Sequence, residues 1–107
     1  MKDTKDLLQD MLQAIDAIHA YATPNYEAFL ADEKTQDAIM FNLVILGEAA
    51  NRIEPEFQEA HPEIPWSSMI GTRNIIVHGY DQVKLQIVWD IVSRDLDKLK
   101  STLLPLV

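Results

Sequence analysis

Residues 35–53 read TQDAIMFNLVILGEAANRI, and the spacing of the apolar side chains in this run decides the architecture. Ile39, Leu43, Leu46, Ala50 and Ile53 recur at steps of three and four, which stacks them on one face of an α-helix. Ala38, Phe41, Ile45 and Ala49 repeat the same spacing on a second face. A helix apolar over so much of its circumference needs cover on more than one side. In a chain of 107 residues, one of those covers is expected to be a second copy of the chain. The helix is expected to start between Asp32 and Thr35 and to run to about Ile53.

Toward the N-terminus, Leu8, Met11, Ile15, Ile18 and Ala22 form a single stripe. It predicts an amphipathic helix from Asp3 or Thr4 to about Ala22. Thr23-Pro24-Asn25 interrupts it, since proline has no N–H to donate and biases the preceding residue away from helix. A short helical piece over Tyr26–Leu30 follows. Beyond the central helix, Pro55, Pro62 and Pro65 mark an irregular stretch with one helical turn over Glu56–Ala60.

A fourth helix is expected from Trp66–Ser67 to His78, capped by Ser67 or Ser68 and stopped by Gly79. The last helix begins between Gln82 and Leu85 and reaches Leu103 on the stripe Val88, Val92, Leu96, Leu99 and Leu103, with Pro105 ending it. The prediction is an all-α fold: an up-and-down bundle of four main helices plus short helical turns, in one domain over residues 1–107.

Composition narrows the function. Nine Lys plus Arg against 17 Asp plus Glu leave a net charge of −8. Between Thr35 and Val83 the basic side chains are Arg52 and Arg73 alone, so nonspecific affinity for nucleic acid should be poor. An acidic surface suits a basic protein partner, and it also keeps a small domain soluble. The chain has no cysteine, which excludes disulfides and thiolate metal sites and suits a reducing compartment. The first residues, MKDTKD, lead into an amphipathic helix rather than a signal-peptide core. No run approaches the ~18 apolar residues of a membrane span. The chain reads as cytoplasmic.

Against this background one segment stands out, Gly71-Thr72-Arg73-Asn74-Ile75-Ile76-Val77-His78-Gly79-Tyr80. At ~100° per residue, Asn74 and His78 share a helix face while Arg73 lies about 140° from His78. Ile75, Ile76 and Val77 are expected to hold the helix in the core and aim the polar groups. Histidine exchanges protons near neutral pH, the property of a general acid or base. Taken singly, Arg73 reads as a partner for a carboxylate, Asn74 as a bond to a loop carbonyl and His78 as a helix cap. The four polar groups at this spacing, ahead of a glycine, read as a site.

At these residues the sequence resembles the HepT-like family, a branch of the HEPN superfamily (nucleotide-binding domains of higher eukaryotes and prokaryotes). The family pattern is an Arg, four intervening residues, a His, one residue and a Tyr; here these are Arg73, His78 and Tyr80, with Asn74 in its usual place after the Arg. Further family-like phrases are Thr35-Gln36-Asp37-Ala38, Gly47-Glu48-Ala49-Ala50, His61-Pro62-Glu63-Ile64-Pro65-Trp66 and Val88-Trp89-Asp90-Ile91-Val92. Together they run almost the length of the chain.

The resemblance implies a helical homodimer whose two motif helices face each other across one composite cleft. It implies a metal-independent endoribonuclease acting on RNA, the toxin of a toxin–antitoxin pair. Its antitoxin would be a minimal nucleotidyltransferase that transfers AMP to the motif tyrosine, here Tyr80. Arg73, Asn74 and His78 would be catalytic, and no cofactor is implied. The chemistry agrees: metal-free cleavage needs a base for the 2′-OH, an acid for the leaving oxygen and positive charge on the phosphorane, and a dimer supplies two His78 and two Arg73. Tyr80, past the helix stop, is expected at the cleft rim beside the basic groups, where an added phosphate would oppose a polyanionic substrate.

Glu48 is a carboxylate in a mostly apolar helix, costly unless paired; Arg73 is its expected partner, in a supporting role, and Asn42 is expected to extend that network. His19 and His61 read as surface or packing residues, and with no Cys and no His-x-x-x-His spacing no metal site is expected. Trp66 and Trp89 read as core or interface anchors rather than base-stacking platforms. Two other functions compete with the nuclease: a non-catalytic protein- or nucleotide-binding module, favoured by the acidic charge, and a regulatory subunit for a nucleotidyltransferase. The intact Arg73, Asn74 and His78 set favours the nuclease.

Overall fold

The structure, a computed structural model, describes residues 2–107. Its helices are α1 (Thr4–Tyr21), α2 (Tyr26–Leu30), α3 (Glu33–Arg52), α4 (Pro55–Ala60), α5 (Trp66–His78), α6 (Leu85–Asp90) and α7 (Leu96–Leu103). Among the described residues there is no strand, so the fold is all-α as the periodicity requires. Short polar residues start the first three helices. Asp3 accepts the Asp6 N–H while Asp6 reaches back to Asp3, a capping box on α1. Asn25 accepts the Ala28 N–H to start α2. Asp32 accepts both the hydroxyl and the N–H of Thr35 to start α3. The Thr35 hydroxyl first, and its N–H second, hold the Asp32 carboxyl below its ordinary range.

Helix α3 is the centre of the molecule and packs on α1 and α5. Its first stripe, Ile39, Leu43, Leu46, Ala50 and Ile53, is buried, as are Leu8, Met11, Ile15 and Ile18 of α1. Ala22, placed on that α1 stripe by its spacing, lies past the helix end and is exposed. The second α3 stripe divides: Ala49 is buried, Ala38 and Ile45 are half-buried, and Phe41 is 65% exposed. Gln36 is buried and donates from Nε2 to the Phe29 and Leu30 carbonyls, tying the end of α2 to α3.

The C-terminal helix departs from a regular α-helix. A wide π turn over Ile91–Asp95 joins α6 to α7. Its apolar stripe steps by four from Val88 to Val92 to Leu96, and each such step over-rotates an α-helix by about 40°. One wide turn absorbs that drift, and Val88, Val92, Leu96, Leu99 and Leu103 are all buried. Pro105 does not end the helix abruptly: the chain passes into a 3₁₀ turn over Leu104–Leu106. Nor does either serine cap α5. Pro65 stands at the cap position with no side-chain bond to the first turn, and the Ser68 carbonyl accepts from the Thr72 hydroxyl. Gly79 does end α5, yet with φ −146°, so no left-handed geometry demands a glycine there.

Both tryptophans pack as anchors. Trp66 is buried and donates its indole N–H to the His61 carbonyl at 3.0 Å, while Trp89 packs on Phe29 and Tyr26 with centroids 5.6 and 6.1 Å away. His61 lies against Phe57 and His19 meets Asp97 at 3.2 Å. Among the described residues no cluster of His, Asp and Glu converges to hold a metal ion, and no helix is long and apolar enough to cross a membrane.

Candidate active site

The close approach of α3 and α5 builds the site. Gly47 sits at the crossing: a Cβ there would lie 2.3 Å from Arg73 Cβ and 2.7 Å from the Met69 carbonyl oxygen. Any larger residue would hold the helices apart. Across this contact Arg73 Nη2 donates to Glu48 Oε1 at 3.3 Å, and Nη1 donates to Asn74 Oδ1 at 2.9 Å. The Nε–H is buried without an acceptor. Of the five guanidinium donors, two are committed and one is enclosed, which leaves two N–H groups on the terminal nitrogens. Glu48 thus pairs with Arg73 as expected, although its carboxylate is half exposed and burial does not compel the pair. Asn42 does not join them, because its Nδ2 is taken by the Ala38 carbonyl one turn back.

The motif residues leave α5 on two sides. Arg73 borders α3, whereas Asn74, Ile75, Val77 and His78 are exposed. The apolar triplet does not bury as a block: Ile76 is buried, but Ile75 is 60% and Val77 45% exposed. Three consecutive residues span about 200° of a helix, more than one core contact covers.

Tyr80 opens a 3₁₀ turn over Tyr80–Gln82 directly after α5. Its hydroxyl donates to the Asp37 carboxylate. That bond first, then burial and the charges of Asp37 and Glu33, push the phenol up to about 12. The phenol therefore stands among carboxylates and not beside Arg73: Asp37 and Glu48 are eleven residues apart on α3, about 16 Å along its axis. Asp37, Phe41 and Glu48 nevertheless share one face of α3, at steps of four and seven. The face has Asp37–Tyr80 at one end, Glu48–Arg73 at the other and exposed Phe41 between.

Comparison with known proteins identifies the family. Residues 11–106 match the family described as "Ribonuclease HepT-like". This chain belongs to the HepT-like ribonuclease family. It is 39% identical over 97 residues to the "Probable ribonuclease HepT" of Thermococcus cleftensis, covering 90% of this chain and 88% of the relative. A Methanocaldococcus jannaschii protein named as a candidate RNase is 35% identical over 100 residues, covering 92% of each chain. Another such protein, from Caldanaerobacter subterraneus, is 29% identical over 101 residues, covering 94% of this chain and 90% of its own. No solved structure gives a significant match.

Two residues of this HepT-like site carry no role in the sequence reading. Gly47 had a local signal, since an isolated glycine inside a helix costs roughly 1 kcal/mol against alanine and usually has a packing reason. Asp37 stands in the family-like phrase Thr35-Gln36-Asp37-Ala38, but nothing local gives it a role, because its partner lies 43 residues away.

Proposed function

We propose that this chain is a metal-independent endoribonuclease working as a homodimer, with Arg73, Asn74 and His78 as its catalytic residues. In this reading it is a cytoplasmic toxin silenced by a minimal nucleotidyltransferase that adenylylates Tyr80. The observation that carries it is the outward presentation of Asn74 and His78 from a helix whose Arg73 is anchored by Glu48, in a chain of a ribonuclease family.

One His78 cannot be base and acid at the same instant, whereas a two-fold partner brings the second imidazole and a second guanidinium. His78 of one protomer takes the 2′-OH proton, the 2′ oxygen attacks phosphorus, and the second His78 protonates the departing 5′ oxygen. The two free N–H groups of Arg73 face the developing charge on the phosphorane. The exposed Phe41, Ile75 and Val77 supply apolar surface for a partner protomer.

The test is incubation of the purified protein with RNA in excess chelator beside His78→Ala. Cleavage by the wild type alone is the expected result; equal activity of the two would overturn the nuclease reading. The second reading, a non-catalytic binding module, is favoured by the net charge of −8 and by the carboxylates around Tyr80. It predicts binding of a partner or nucleotide without cleavage by either protein.

A further inference from the structure

Beside Tyr80 lies a groove of about 390 Å³, within the size range of small-molecule sites. Leu30, Met40, Val83 and Leu85 line it together with the carboxylate residues Glu33 and Asp37. The bonds from buried Gln36 to the end of α2 hold one wall in place. The phenol is 49% exposed, and its hydroxyl is held by an Asp37 that is itself exposed. A hydrogen bond in such a wet place contributes only ~1 kcal/mol to the fold, so stability is a weak reason for the pairing. Reactivity is a better one. A phenol attacks phosphorus only as it loses its proton, and the group that takes the proton must sit within hydrogen-bond reach of the oxygen.

We propose that Asp37 is the catalytic base for nucleotidyl transfer to Tyr80, an inference that rests on the reading of Tyr80 as the modified residue. The acceptor side of the reaction is thus built into this chain, not into the transferase. Tyr80 Oη attacks the α-phosphorus of a nucleoside triphosphate carried by the partner. The bond from that phosphorus to the bridging oxygen breaks, and its electron pair leaves with pyrophosphate. The phenolic proton passes to the Asp37 carboxylate and then to solvent. The apolar wall of the groove takes the nucleobase. Glu33 and Asp37 repel the triphosphate, so its compensating cation arrives with the transferase. A phenol pushed up to about 12 holds its proton at neutral pH, which makes a base in contact with it a requirement.

The experiment incubates wild type and Asp37→Asn with the minimal nucleotidyltransferase of the proposed pair and with ATP labelled at the α-phosphate. Asparagine keeps an acceptor oxygen for the phenol but cannot take its proton. Transfer to Tyr80 should fall by about 10²–10⁴ in kcat with KM unchanged, and Asp37→Glu should recover part of it. The residual rate of Asp37→Asn should rise about tenfold per pH unit above neutrality, as free phenolate replaces the assisted attack, while the wild-type rate rises less. Asp37→Ala, which removes the acceptor altogether, should show the same loss. Transfer to Asp37→Asn or Asp37→Ala at the wild-type rate overturns the proposal. Absence of label on wild-type Tyr80 overturns instead the reading on which it rests, and the two failures are distinct.

Discussion

Gly47 of α3 and Arg73 of α5 are so close that a Cβ on the glycine would stand 2.3 Å from the Cβ of the arginine. Neither Arg73 Cβ nor the Met69 carbonyl, 2.7 Å away, is the free end of a flexible side chain. Alanine at 47 gains roughly 1 kcal/mol of helix propensity but must push two helices apart, an overpacking cost of about 1–3 kcal/mol. Gly47→Ala is therefore expected to lower the unfolding free energy, read by urea titration, by a net ~0–2 kcal/mol. It should also weaken RNA cleavage, since the Glu48–Arg73 contact opens with the crossing.

The Glu48–Arg73 pair separates stability from function. Its carboxylate is 52% exposed, and pairs of this kind contribute at most about 1 kcal/mol. Glu48→Gln should leave the melting temperature nearly unchanged. Cleavage should still fall by about 10–10², because the guanidinium loses the anchor that sets its direction. A loss of stability without loss of activity would reverse this assignment.

His78 is exposed, so His78→Ala should shift stability by no more than about 0.5 kcal/mol. The same substitution should reduce cleavage by about 10²–10⁴. Arg73→Ala should reduce it by about 10²–10³ through lost phosphorane stabilisation. Single-turnover assays in chelator, read beside circular dichroism, decide both.

Tyr80 predicts a pH effect of defined sign. Its phenol is raised from 10.0 to about 12 in the folded chain, chiefly by the bond to Asp37. Between those values the folded state keeps a proton that the unfolded state releases. The stabilisation is therefore complete below pH 10 and is lost as pH rises through about 12. Because the phenol is half exposed the contribution is small. Wild type should lose stability more steeply than Tyr80→Phe across this window. Asp37→Asn should move the late step in tyrosinate absorbance back toward 10.

Phe41 tests the assembly. It is 65% exposed between the two polar pairs, and a charge there costs the monomer little but opposes an apolar interface. The wild type should sediment at about twice the chain mass at micromolar concentration, as a two-fold dimer requires. Phe41→Glu should sediment as a folded monomer and lose cleavage. A monomeric wild type that still cuts RNA would remove the composite-site argument.

The helices were legible because their signals are local. Asn25 before Tyr26 and Asp32 before Glu33 are side chains that cap the next turn, and the bounds of α2 and α3 follow from them to within a residue or two. The serines of the first turn of α5 were equally local and did not act as caps, because the helix already starts at Trp66 with Pro65 at the cap position. The π turn was not legible. It answers a rotational drift that matters only once Val88, Val92 and Leu96 must all meet the same core.

The site divides in the same way. That Arg73, Asn74 and His78 lie on one helix with Tyr80 just beyond its end follows from the sequence alone, through the fixed rotation of an α-helix and the stop after His78. Which of them face α3 and which face solvent was decided by the crossing at Gly47, a contact between residues 26 apart in the chain. The same packing set Tyr80 against Asp37 instead of Arg73 and left Phe41, Ile75 and Val77 uncovered. Helical periodicity states how side chains are arranged around one axis; only the packing of α1 and α5 against α3 states which sides are enclosed.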